Sequence, residues 1–135
     1  MTDATRLKSL RIVLILTGAT FIAGLPLLMF ILWPSGWSWH TGHSDYPLMI
    51  IGVYATLGAF LIFAARNPVE HLSLIRFTAW SSIVHAAIMT FQSFEGPMNH
   101  GHLVGDVPAL YIVGFVLLAL TPRAAAPAIP AHRPA

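Results

Sequence analysis

Two groups of side chains in this 135-residue sequence have the types and spacing to do chemistry. His40, His43 and Asp45 lie in one polar stretch, WPSGWSWHTGHSDYP at residues 33–47, and Glu95, His100, His102 and Asp106 lie in another. Imidazole nitrogens and carboxylate oxygens with no competing cation are donors that zinc or copper(II) accepts. Brought together, His40, His43, Asp45, His100, His102 and Asp106 could hold such an ion. Their spacing matches no HExxH helix motif. The plainer alternative is a pair of solvated loops whose polar groups bridge helices and cap their ends. Protonation of the imidazoles would then give that face a charge that depends on pH.

The second group is intramembrane. Thr78, Ser82, His85, Met89 and Gln92 recur at helical spacing and form one stripe. Polar groups are costly in lipid unless partnered, so this stripe is expected to face other helices. His85 is its sharpest member. A haem or chlorin could use such a histidine, but a bis-His site needs a second buried imidazole and the spans offer none. The alternative is a neutral His85 hydrogen-bonded to a carbonyl or hydroxyl, with Ser81 one turn away. Trp80, Phe91 and Tyr111 read as packing aromatics. The chain has no G-x-S-x-G elbow, P-loop, dinucleotide fingerprint or paired carboxylates within a span, so nothing marks an enzyme and no cofactor is expected.

The elements that hold these groups follow from composition. The sequence is 56% hydrophobic and only 9% charged, against roughly 25% charged residues in soluble domains. It contains no cysteine, which excludes disulfides, thiolate metal sites and cysteine nucleophiles. The net charge of +2 comes from residues at helix ends and forms no continuous basic stripe, so a nucleic-acid surface is not expected. The apolar run from Ile12 to Trp33 outlasts the ~7–15 residues of a signal-peptide core and reads as a retained span.

The expected fold class is all-α, an integral membrane four-helix bundle. Spans are expected at about 10–33, 46–65, 72–94 and 103–121, with residues 1–9 as a cytoplasmic N-terminal segment and 122–135 as a Pro/Ala-rich cytoplasmic tail. Pro26 predicts a kink in the first span. Ala19, Thr20, Ala23 and Gly24 form a small-residue patch there, and Gly52, Ala55 and Ala59 form one on the second span; such patches let helices approach closely. In the connection RNPVE, Asn67 can cap, Pro68 suits the first helical position and Glu70 completes a capping box. Arg76 can snorkel to water. The apolar stretch from Val107 to Leu120 is short, at about 21 Å, so the fourth span either starts earlier, near His102, or thins the bilayer.

Arg6, Lys8, Arg11, Arg66, Arg76, Arg123 and Arg133 are the cationic residues, and all fall on one side of this four-span arrangement. The positive-inside rule then places both termini and the middle loop in the cytoplasm. Trp33, Trp37, Trp39 and Tyr46 become an aromatic belt on the other side. GHSDYPLMIIG at residues 42–52 resembles GHLVGDVPALYIVG at 101–114, as two related helical hairpins would. In each copy Asp45 or Asp106 can cap a descending helix whose first turn holds Pro47 or Pro108.

WPSGWSW with GHSDYPLMIIGVYATLGAF, then AARNP, FTAWSSIVHAAIMTFQ and GHLVGDVPAL, resemble an uncharacterised family of small bacterial four-span inner-membrane proteins, a domain of unknown function. The layout is more distantly similar to the DoxX-like four-helix membrane proteins. The resemblance implies a bacterial inner-membrane protein and transfers no functional residue. Three functions are compatible with the sequence. The first is a non-enzymatic accessory or interaction subunit with His-rich outward loops, working with a membrane protein partner or as a homo-oligomer. The second is a small solute or proton-coupled transporter in which His85 and Gln92 line the path. The third is a metal- or haem-binding redox helper.

Overall fold

The computed structural model describes residues 2–32, 46–95 and 97–122, and every regular element in them is helical. The first helix, α1, runs Asp3–Leu32. Thr2 caps it by accepting from the Thr5 amide at 3.3 Å, and Asp3 in the first turn complements the helix dipole. The segment before residue 10 is thus the opening of this helix. At Pro26 the ring removes a backbone donor. The helix accommodates it with two π-helical stretches, Thr20–Gly24 and Leu28–Leu32, around a short α-helical piece, Leu25–Leu27.

The second helix, α2, spans Tyr46–Ala64, with Pro47 at its second residue. A 3-10 turn, Pro68–His71, leads into α3, Leu72–Ser93. Pro68 takes the first position of that turn, but Asn67 makes no side-chain cap. Its backbone carbonyl accepts from the Glu70 amide at 3.2 Å, so a backbone bond replaces the expected capping box. A second 3-10 stretch, Pro97–Val104, precedes α4, Asp106–Leu120, whose first turn holds Pro108.

Among the described residues four helical units, of 30, 19, 26 and 22 residues, are long and apolar enough to cross a membrane. Their outer faces carry large apolar side chains, among them Leu16, Val53, Phe60, Phe77, Val84 and Ile112. In water such a surface would aggregate; in hydrocarbon it is the solvent-facing side.

α1 packs on α2 and α3 packs on α4, while α1 also touches α4. Along their lengths α2 and α3 barely meet. Close approach in the tight pairs depends on glycine. A Cβ on Gly18 would lie 2.6 Å from the Gly58 carbonyl oxygen, and one on Gly114 would lie 2.9 Å from that of Ala79. Most of the small residues expected to do this lie elsewhere. Ala19, Thr20, Ala23, Gly52 and Ala59 are exposed and Ala55 is half-buried; a Cβ on Gly52 would meet nothing within 4 Å, and the nearest atoms to one on Gly24 are those of Thr20 on its own helix.

The buried apolar cluster joins Leu10, Leu14 and Phe21 of α1 to Leu61, Ala65, Ile75, Ala79 and Leu117. Apart from Phe21, these residues lie toward the end of the bundle where α1 begins and α4 stops. At that end the Arg6 guanidinium donates to the carbonyls of Leu120 at 3.0 Å, Ala119 at 2.8 Å and Thr121 at 2.9 Å. These carbonyls lie in or next to the last turn of α4, where helical partners run out. Arg76 donates to the Pro122 carbonyl at 3.1 Å, so it closes the same end instead of only reaching for water. Arg66 sits over the Phe63 ring at 5.7 Å.

A candidate lateral site between the second and third helices

The gap that α2 and α3 leave is a cavity of about 220 Å³ lined by Ile50, Val53, Tyr54, Leu57, Phe77, Ser81, Ser82 and His85. Ile50, Val53 and Phe77 are exposed on the outside of the bundle, so the cavity opens sideways toward lipid. Across it the Tyr54 hydroxyl lies 2.8 Å from His85 Nδ1. Tyr54 is eight residues into α2 and His85 eight residues before the end of α3. Both are therefore about 12 Å from the ends of their helices that face the chain's first and third connections.

Tyr54 is itself fixed by an edge-to-face contact with Phe21 of α1, with ring centroids 4.8 Å apart. His85 thus finds its hydroxyl on the other hairpin. Ser81, the expected partner, donates to the Thr78 carbonyl at 3.1 Å instead. The rest of the polar stripe divides. Thr78, Ser82 and Met89 are buried and His85 is half-buried, but Gln92 is exposed and Ser93 takes the inward place.

Thr78 and Ser93 bond to carbonyls one turn back on their own helix, at 2.9 and 2.7 Å. A hydroxyl can satisfy itself this way and needs no neighbouring helix, whereas an imidazole cannot reach its own backbone so easily. That difference makes Tyr54–His85 the polar link across this seam. Trp80 and Phe91 point outward, and their aromatic bulk belongs to the lipid-facing surface. Tyr111 does pack, stacked on Phe115 at 5.9 Å.

The outer candidates separate as well. His40, His43 and Asp45, with Trp33, Trp37 and Trp39, lie outside the described residues. Glu95 and His100 are exposed. His102 is buried, 2% exposed, with Nδ1 at 2.9 Å from Asp106 Oδ2 and 3.1 Å from Oδ1. Asp106 also accepts from the Val107 amide at 3.1 Å. It serves the start of α4 from the first helical position, because Gly105 is the capping residue. His102 is therefore part of a buried pair and not of a solvated loop. A carboxylate on one imidazole nitrogen is how metal-ligating histidines are oriented. Among the described residues, however, no three His, Asp or Glu side chains come together to hold an ion.

Tyr54 is the residue that sequence reasoning missed. Its signal was available: a tyrosine in mid-span, away from the headgroup level where amphipathic rings ordinarily lie.

Compared with known proteins, the chain matches the model of a family of unknown function (DUF6632) over residues 4–133. No curated protein and no solved structure matches the chain.

Proposed function

The chain belongs to this family of unknown function, and from that premise we propose that it is a non-enzymatic accessory protein of the bacterial inner membrane. Its contact with other membrane components is made at the seam between α2 and α3. The observation that carries this is the uneven closure of the bundle: the α1–α2 and α3–α4 pairs are drawn together by glycine contacts, while α2 and α3 stand apart around the Tyr54–His85 bond. A bundle that needed only to be stable would close that gap with apolar side chains. Both termini lie in the cytoplasm in this reading, because Arg6, Lys8, Arg11, Arg66 and Arg76 share one end. The loops bearing His40, His43 and His100 then face outward.

A photoreactive amino acid at Val53, compared with one at Ile12 on the outer face of α1, tests the reading in native membranes. A discrete, saturable adduct at residue 53 alone is expected. The same diffuse lipid labelling at both positions would contradict it.

A second reading, a proton-coupled carrier, draws on the grouping of His102, Asp106, Tyr54 and His85 in one half of the bundle. Gln92 is exposed and leaves any such path. Counterflow in proteoliposomes distinguishes the two: a carrier loses solute exchange on His85→Ala while still folding, and an accessory protein shows no exchange to lose.

A further inference from the structure

The hydrogen-bond inventory of the seam identifies what fits it. A neutral imidazole carries one N–H and a tyrosine one O–H. Their mutual bond consumes one of these hydrogens. If Tyr54 donates to Nδ1, the Nε2–H of His85 is left over; in the other tautomer the Tyr54 O–H is left over. Neither residue makes a further hydrogen bond among the described residues. In hydrocarbon an unmet donor is costly, and its complement is an acceptor that is itself at home in lipid. An ion at this depth would be opposed by the bilayer, which excludes a carboxylate or phosphate head.

Size narrows the choice further. At about 220 Å³ the cavity holds roughly seven water volumes of ~30 Å³. That lies below the ~300–1,000 Å³ of sites that engulf a whole small molecule. It suffices for a carbonyl-bearing head and its first few carbons, with the remainder of the molecule left in the bilayer against Ile50, Val53 and Phe77.

We propose that this cleft binds a neutral, lipid-soluble molecule with a carbonyl head. The carbonyl oxygen accepts the hydrogen that the Tyr54–His85 pair leaves over. The proposal rests on the reading of the α2–α3 seam as the working face and names its occupant. Carbonyl heads of this kind occur in long-chain quinones and in neutral glycerides, and the same experiment distinguishes these sources.

The full chain in lipid nanodiscs is labelled with a long-chain alkyl ketone carrying a diazirine. Labelling is competed with a decyl-substituted benzoquinone, with dioleoylglycerol and with hexadecane. Label is expected on the peptides around Val53 and Phe77, displaced by one or both carbonyl compounds and not by hexadecane. The Tyr54→Phe/His85→Leu double variant removes both donors and should weaken labelling by about fivefold or more, the equivalent of one net hydrogen bond. Tyr54→Phe alone, which leaves the imidazole N–H, should fall between. Val53→Trp fills the cleft and should abolish labelling even if the double variant fails to fold.

Equal competition by hexadecane, labelling spread over the outer helical faces, or indifference to the double variant would overturn the proposal. A protein adduct at residue 53 in native membranes, without ketone labelling of the purified chain, would leave the seam as the working face and refute this occupant.

Discussion

Gly18 and Gly58 oppose each other so closely that a Cβ built on either would lie 2.6 Å from the other's carbonyl oxygen. The α1–α2 seam is therefore closed by backbone against backbone, and no side-chain rearrangement can make room for a methyl group. Gly18→Ala and Gly58→Ala should each destabilise the bundle by about 1–3 kcal/mol as the helices are forced apart. Gly52→Ala, with open space around it, should be neutral or stabilising by up to ~1 kcal/mol. Reversible unfolding in mixed micelles reads all three, and equal effects would remove the closed-seam account.

Arg6 ties the start of the chain to the end of α4 through three carbonyl acceptors. Arg6→Ala should lower stability by about 1–3 kcal/mol. It should also speed amide hydrogen exchange in the last turn of α4. Arg6→Lys should recover only part of the loss, because an ammonium lacks the planar fork that serves several acceptors at once. Full recovery by lysine would reduce the contact to simple charge.

The His102–Asp106 pair is buried, so removing one partner takes a hydrogen bond from a buried polar group of the other. Asp106→Ala and His102→Ala should each cost about 1–3 kcal/mol, and the double variant should cost less than their sum. A double-mutant cycle on unfolding free energies measures the coupling. Strict additivity would show that the pair contributes nothing beyond its separate packing.

Sidedness is accessible because the chain has no native cysteine. A membrane-impermeant maleimide should label His100→Cys in intact cells and label Arg66→Cys only after permeabilisation. The reverse pattern would invert the placement of the basic end.

The four helices were legible in the sequence because their apolar runs are long and their ends carry prolines and charges. The faces they bury were legible on α3, whose polar stripe turns inward at Thr78, Ser82 and Met89, and not on the others. These helices are apolar all round, so periodicity does not say which side meets protein and which meets lipid. Gly18 and Gly58 are one or a few residues from the small residues that looked equally suitable on paper. On α1 the π-helical stretches add a further difficulty, because each shifts the register of every residue beyond it. His85 was visible as an anomalous residue in lipid. Its partner was not, since Tyr54 lies on the other hairpin, 31 positions away. Gln92 looked like the end of the stripe at ideal spacing, yet Ser93 turns inward and bonds its own helix.

The most direct test is the imidazole nitrogen spectrum of His85 in a lipid bilayer, recorded for the wild-type chain and for Tyr54→Phe. A single tautomer with Nδ1 shifted by a hydrogen bond is expected in the wild type, and that shift should vanish in the variant. Identical spectra would mean that no bond spans the seam, and the site built on it would not exist.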